Sequence, residues 1–244
     1  MRAVSAGPGV GLTALLALYG ALTASVGLGV VGWTVGTGCA VIAGLVLARA
    51  LARHGTARLG PADRVTLVRA VLVGGVLALV ADSSTPSVPA VVVLAATALV
   101  LDGVDGWVAR RTGTASELGA RFDQDVDAFL ILMLSVQVAR SLGGWVLLIG
   151  LARYAFVAAG RRWAWLREPV PPRHWCKVVA AVQGVVLTAV ATGAAPRPVR
   201  IAAVAGALAL LAESFGREAW QKWRQYRAIE LPVLALLEDQ VPTG

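Results

Sequence analysis

The sequence predicts an all-α protein, a polytopic bundle of roughly eight transmembrane helices. Three observations predict it. The chain of 244 residues is 57% hydrophobic and only 15% charged, with a mean hydropathy of +0.73. Soluble domains carry roughly 25% charged residues. Residues 9–48 hold no charged side chain at all. The basic residues, finally, fall into clusters that alternate along the chain.

About 20 apolar residues cross the hydrocarbon layer as a helix. The uncharged run 9–48 is twice that length and is split into two spans near Gly27–Gly32. It is too long for a signal peptide, so it reads as mature membrane structure. Further spans are expected at about 66–81, 88–108, 124–141, 144–161, 177–195 and 199–216. The segment RHGTARLGPADRV, between the second and third spans, is short, polar and basic and suits the membrane surface. The tail REAWQKWRQYRAIE sets Trp220, Trp223 and Tyr226 among basic residues, as in an interfacial helix.

The net charge of +8 is read as topology and headgroup contact rather than as a nucleic-acid surface. One side of the membrane receives 17 Lys and Arg residues and the other receives Arg140, Arg197 and Arg200. The positive-inside rule puts both termini in the cytoplasm, in a cell-membrane protein. Arg69 and Arg153 fall inside expected spans and lack a topological reason. Cys39 and Cys176 lie far apart and read as small apolar fillers. His54 and His174 lie in basic loops and have no metal-ligand spacing.

The acids are concentrated. Five of the eight aspartates lie between Asp102 and Asp127. Asp102 and Asp105 are three residues apart at the end of the fourth span, and Asp123 and Asp127 are four apart at the start of the fifth. Such pairs share a helix face. Two helices joined by a short loop run antiparallel, so the pairs face each other at one depth, inside the cytoplasmic boundary. Asp125 points elsewhere. Four close carboxylates require a counter-charge. Arg110, Arg111 and Arg121 are near enough to supply one, but intramembrane acids mark function by default. A divalent cation, or two, is the natural partner, and all-oxygen ligation favours Mg²⁺, Mn²⁺ or Ca²⁺ over Zn²⁺. Two carboxylate-bridged cations form a phosphoryl-transfer site. Gly106 and Gly119 remove side chains beside it.

The stretch DGVDGWVARRTGTASELGARFDQDVD reads D-x-x-D-G-x-x-A-R, eight residues, then G-x-x-x-D-x-x-x-D. It resembles the signature of the CDP-alcohol phosphotransferases (CDP-alcohol phosphatidyltransferases). Asp102, Asp105, Gly106, Ala109, Arg110, Gly119, Asp123 and Asp127 fill every fixed position. DRVTLVR is similar to the segment opening the family's first core helix: Thr66 and Arg69 match, while Asp63 stands where Asn is usual. KVVAAVQ resembles a later family segment at Lys177 and Gln183 but departs from it at Cys176 and Ala180.

The resemblance implies a six-helix core over residues 51–216, an added N-terminal pair over 1–50, and a cytoplasmic or interfacial tail over 217–244. It implies transfer of a phosphatidyl or substituted phosphoryl group from a CDP-linked donor to an alcohol, with release of CMP, in phospholipid synthesis. The donor expected is CDP-diacylglycerol. By the same resemblance, Asp102, Asp105, Asp123 and Asp127 ligate two divalent cations, Mg²⁺ or Mn²⁺, and Asp127 is also the general base. Asp63, Thr66, Asp105, Gly106, Ala109, Arg110 and Gly119 border the CDP group. Arg153, Arg161, Arg162, Arg173 and Lys177 make a basic pocket suited to a phosphorylated acceptor. A homodimer among membrane lipids is implied. Glu213 has a choice of partners in Arg153 and Arg69. Other readings are a cardiolipin-type synthase with a phospholipid acceptor, a Mg²⁺-dependent prenyltransferase, and a cation transporter. The transporter needs a polar path across the membrane, whereas the outer halves of these helices are Ala, Val and Leu.

Overall fold

A computed structural model describes residues 6–54, 61–82, 87–112, 117–163 and 174–238. Among the described residues there are eight α-helices and no strand. They are α1 (Ala6–Val26), α2 (Val30–His54), α3 (Pro61–Ala81), α4 (Val88–Thr112), α5 (Glu117–Leu142), α6 (Leu147–Arg162), α7 (His174–Ala191) and α8 (Arg197–Glu238). A single 3₁₀ turn, Gly144–Val146, precedes α6. The all-α bundle expected from the sequence is the bundle observed.

Five of these helices are long and apolar enough to cross a membrane: α1, α2, α3, the Gly144–Arg162 stretch, and α8 over Arg197–Arg224. Val88–Val104 and Val178–Ala191 are shorter apolar stretches. The bundle's outside is apolar too, with Val30 78%, Val100 69% and Ile42 64% exposed. In water such a surface would be a liability, and in lipid it is the expected one.

The boundary inside the long uncharged run falls at Gly27, with φ +72°. Its N–H bonds the Thr23 carbonyl at 3.1 Å, closing α1 with a left-handed residue that glycine adopts without strain. Gly143, with φ +105°, ends α5 and turns the chain into α6. Two expectations are refined. Helix α8 does not stop near residue 216; it runs unbroken to Glu238, carrying Trp220, Trp223 and Tyr226 within it. Part of the polar connection before α3 lies outside the described residues, but its last portion is already the first turn of α3.

Helix α3 is the hub. It packs against α1, α2, α4 and α5. Its buried residues Val73, Val76, Leu79 and Val80 join Leu15, Tyr19, Leu22 and Leu28 from the N-terminal pair in one continuous core. Close approach is achieved with glycine. A Cβ on Gly32 would come within 2.7 Å of the Ala78 carbonyl oxygen, and one on Gly150 within 2.7 Å of Leu132 Cα. Packing by small residues is how helices associate in lipid.

Polar contacts lock the same arrangement. Tyr19 donates to the Gly74 carbonyl at 3.1 Å and meets the Trp33 ring edge-on at 5.4 Å. Asp82, 1% exposed, ends α3 and accepts the Gly29 N–H just before α2 begins. Arg140 donates to the Val80 carbonyl, one of the last of α3. Gln183 of α7 donates to the Ala207 carbonyl of α8 at 2.7 Å.

Replacing Asp82 by Ala is expected to lower unfolding stability by about 1.5–3 kcal/mol, the range for a hydrogen bond to a charged group. Denaturation of the detergent-solubilised protein measures it. Gly150→Ala is expected to cost about 1–3 kcal/mol by overpacking α5 against α6. An unchanged midpoint in either variant would contradict the corresponding contact.

Candidate active site

Three aspartates come together. Asp102 lies in the C-terminal half of α4, and Asp123 and Asp127 lie one turn apart near the start of α5. One carboxylate oxygen from each lies within 4.8 Å of the others. Each side chain is about a third exposed: 36% for Asp102, 32% for Asp123 and 28% for Asp127. The i/i+4 spacing places Asp123 and Asp127 on one face of α5, and their carboxylates approach that of Asp102 on α4.

Among the described residues, Arg69 supplies counter-charge to all three. Its side chain is fully buried. Nη1 lies 3.0 Å from Asp102 Oδ1 and also bonds Asp123 Oδ1, while Nη2 bonds Asp127 Oδ1. Nε donates to the Ala98 carbonyl of α4 at 3.2 Å. The planar five-donor fork of arginine is suited to such a multiple contact. Thr66, 2% exposed, precedes Arg69 by one turn on α3. Arg69 is what the sequence reading missed. Two signals pointed to it: an intramembrane arginine with no topological reason, and its three-residue spacing from Thr66.

The other sites fare variously. Asp125 does stand apart: it is 73% exposed and lies 3.2 Å from Arg153, itself 30% exposed. Glu213 pairs with neither Arg153 nor Arg69 but with Arg217, one turn further along α8. Gly119 sits one turn before Asp123 in α5. Arg161 and Arg162 are exposed in the last turn of α6. Asp63, Asp105, Gly106, Ala109, Arg110 and Lys177 are described only as positions within α3, α4 and α7, and Arg173 lies outside the described residues. Near the end of α6, Phe156 packs on Phe215 at 5.0 Å, with the Lys222 ammonium 5.4 Å from its ring centre.

Three converging carboxylates, partly open to solvent, form an all-oxygen donor set that suits a hard divalent cation such as Mg²⁺ or Mn²⁺. Arg69 offsets part of their negative charge from the buried side.

The Arg153–Asp125 pair is a surface pair, worth about 0–1 kcal/mol. Asp125→Ala is therefore expected to shift unfolding stability by less than about 1 kcal/mol. A larger loss in denaturation would mean that Asp125 shares in the buried cluster.

The sequence model of the family described as CDP-alcohol phosphatidyltransferase matches residues 59–214. No curated protein and no solved structure matches the chain.

Proposed function

The chain belongs to the CDP-alcohol phosphatidyltransferase family and is a multi-pass membrane transferase of substituted phosphate groups, and from that premise we propose its donor, acceptor and site chemistry. The donor is CDP-diacylglycerol, the acceptor is a phosphorylated alcohol, and the products are a phospholipid and CMP. The observation that carries this reading is the convergence of Asp102, Asp123 and Asp127, with ligand oxygens within 4.8 Å of one another.

Asp102, Asp105, Asp123 and Asp127 would hold two divalent cations, Mg²⁺ or Mn²⁺, which when bound would supply charge neutralisation at the donor's diphosphate and the departing CMP. The protein's own groups do the rest. Asp63 and Thr66 border the nucleotide from α3, and Gly106, Ala109 and Gly119 leave room for it. Arg110 binds the donor's phosphates. Asp127 accepts the proton of the acceptor hydroxyl as the oxygen attacks the donor phosphorus.

Arg153, Arg161, Arg162, Arg173 and Lys177 receive the acceptor's phosphate. The basic composition of the connections supports this acceptor class, because guanidinium groups bind phosphate through paired hydrogen bonds. The excess of Lys and Arg at one end of the bundle supports a cytoplasmic site in the cell membrane, with both termini on that side. The protein acts as a homodimer.

The test is CMP release by purified protein with CDP-diacylglycerol and Mg²⁺ or Mn²⁺, over a panel of alcohols. The panel includes glycerol phosphate, an inositol phosphate and an anionic phospholipid. Release that depends on a phosphorylated alcohol is expected, and Asp127→Asn is expected to reduce it by about 10²–10⁴-fold, the usual contribution of a general base. Release with the phospholipid alone would replace the acceptor with a lipid. Release only with CDP-choline or CDP-ethanolamine would replace the donor.

A further inference from the structure

Arg69 is buried, while the acids it binds are open on one side. Its side chain has no exposed area, against 36%, 32% and 28% for Asp102, Asp123 and Asp127. The guanidinium is therefore the covered part of the cluster, and the carboxylates are its open part. Its head contacts Oδ1 of each of the three acids. The head is also tied through Nε to a main-chain oxygen of α4, at Ala98, one helical turn before Asp102. An arginine so held has no short path into water.

We propose that Arg69 is a positioning residue of the cation site: a fixed internal cation that gathers the three carboxylates before any metal arrives and stays beneath them afterwards. It rests on reading Asp102, Asp123 and Asp127 as cation ligands. Electrostatics makes the arrangement useful. Three carboxylates with oxygens within 4.8 Å of one another repel strongly where the dielectric is low. One buried positive charge bonded to all three offsets that repulsion from the covered side. The cations then need to supply only the remaining counter-charge, from the exposed side. One arginine on α3 thereby sets the spacing of ligands on α4 and α5.

The experiment compares wild type with Arg69→Met and Arg69→Lys as purified full-length protein in detergent. Thermal unfolding is followed in EDTA and in saturating Mg²⁺, and Mn²⁺ binding is titrated directly. In Arg69→Met, the added cation takes over the counter-charge that Arg69 supplied. Its Mg²⁺-induced rise in Tm is expected to be at least about twice that of wild type, as ligand linkage requires when the cation-free state is selectively weakened. Arg69→Lys keeps the charge without the fork and is expected to fall between the two. If Arg69→Met does not fold in EDTA, folding restored by Mg²⁺ is the same result in stronger form.

Equal loss of Tm with and without Mg²⁺ in both variants would overturn the proposal and leave Arg69 a packing residue. Failure to fold in either condition, together with Arg69→Lys responding to Mg²⁺ like wild type, would overturn it as well. Absence of Mn²⁺ binding by wild type would be a different failure, removing the cation reading itself and this inference with it.

Discussion

Like charges in a poorly screened place are the constraint from which this structure is best understood. Three carboxylates converge at the edge of an apolar bundle, and an ion left unpaired in such a setting costs several kcal/mol. Arg69, reaching them from a third helix, is the interaction on which the cluster depends. It connects helices that the chain's order would leave only loosely related. Helices α3 and α4 are consecutive in the chain and pack closely, whereas α5 is tied to both at a defined depth through the arginine. The bundle's packing and its chemistry are thus specified partly by the same contact.

The apolar part of the fold follows a different logic. In lipid, burying a leucine against another helix has little advantage over burying it against an acyl chain. Close approach and hydrogen bonding therefore decide which faces meet. Gly32 and Gly150 sit where a methyl group would strike main chain or a neighbouring Cα. Tyr19, Asp82, Arg140 and Gln183 each bond a main-chain group of another helix or its end. Such contacts give the bundle a definite arrangement within a composition that is nearly uniform in Ala, Val, Leu and Gly.

Much of this was legible in the sequence. Helix existence followed from span-length runs without charge, and the break near Gly27 from a glycine-rich point in a run of double length. The separation of Asp125 from Asp123 and Asp127 followed from helical periodicity, and the approach of Asp102 to them from a short connection that turns one helix back beside the other. What was not legible had more than one cause. Arg69 lies 54 residues from Asp123, and no periodicity connects α3 to α5. The partner of Glu213 was sought across helices, yet it was Arg217, one turn away. The continuation of α8 was hidden because a change from apolar to amphipathic composition looks like a boundary even when the backbone ignores it.

The N-terminal pair lies outside the residues that match the family, which begin at residue 59, yet it packs on α3. Leu15 and Leu18 fill the space beside Gly74 and Gly75, and Gly11 approaches Leu67, two residues from Arg69. Coulombic attraction grows as the surrounding dielectric falls. A hydrocarbon jacket that keeps water and headgroups off the back of α3 acts, in electrical terms, as insulation. The field of one buried charge is then directed forward, into the acids, rather than dissipated behind it.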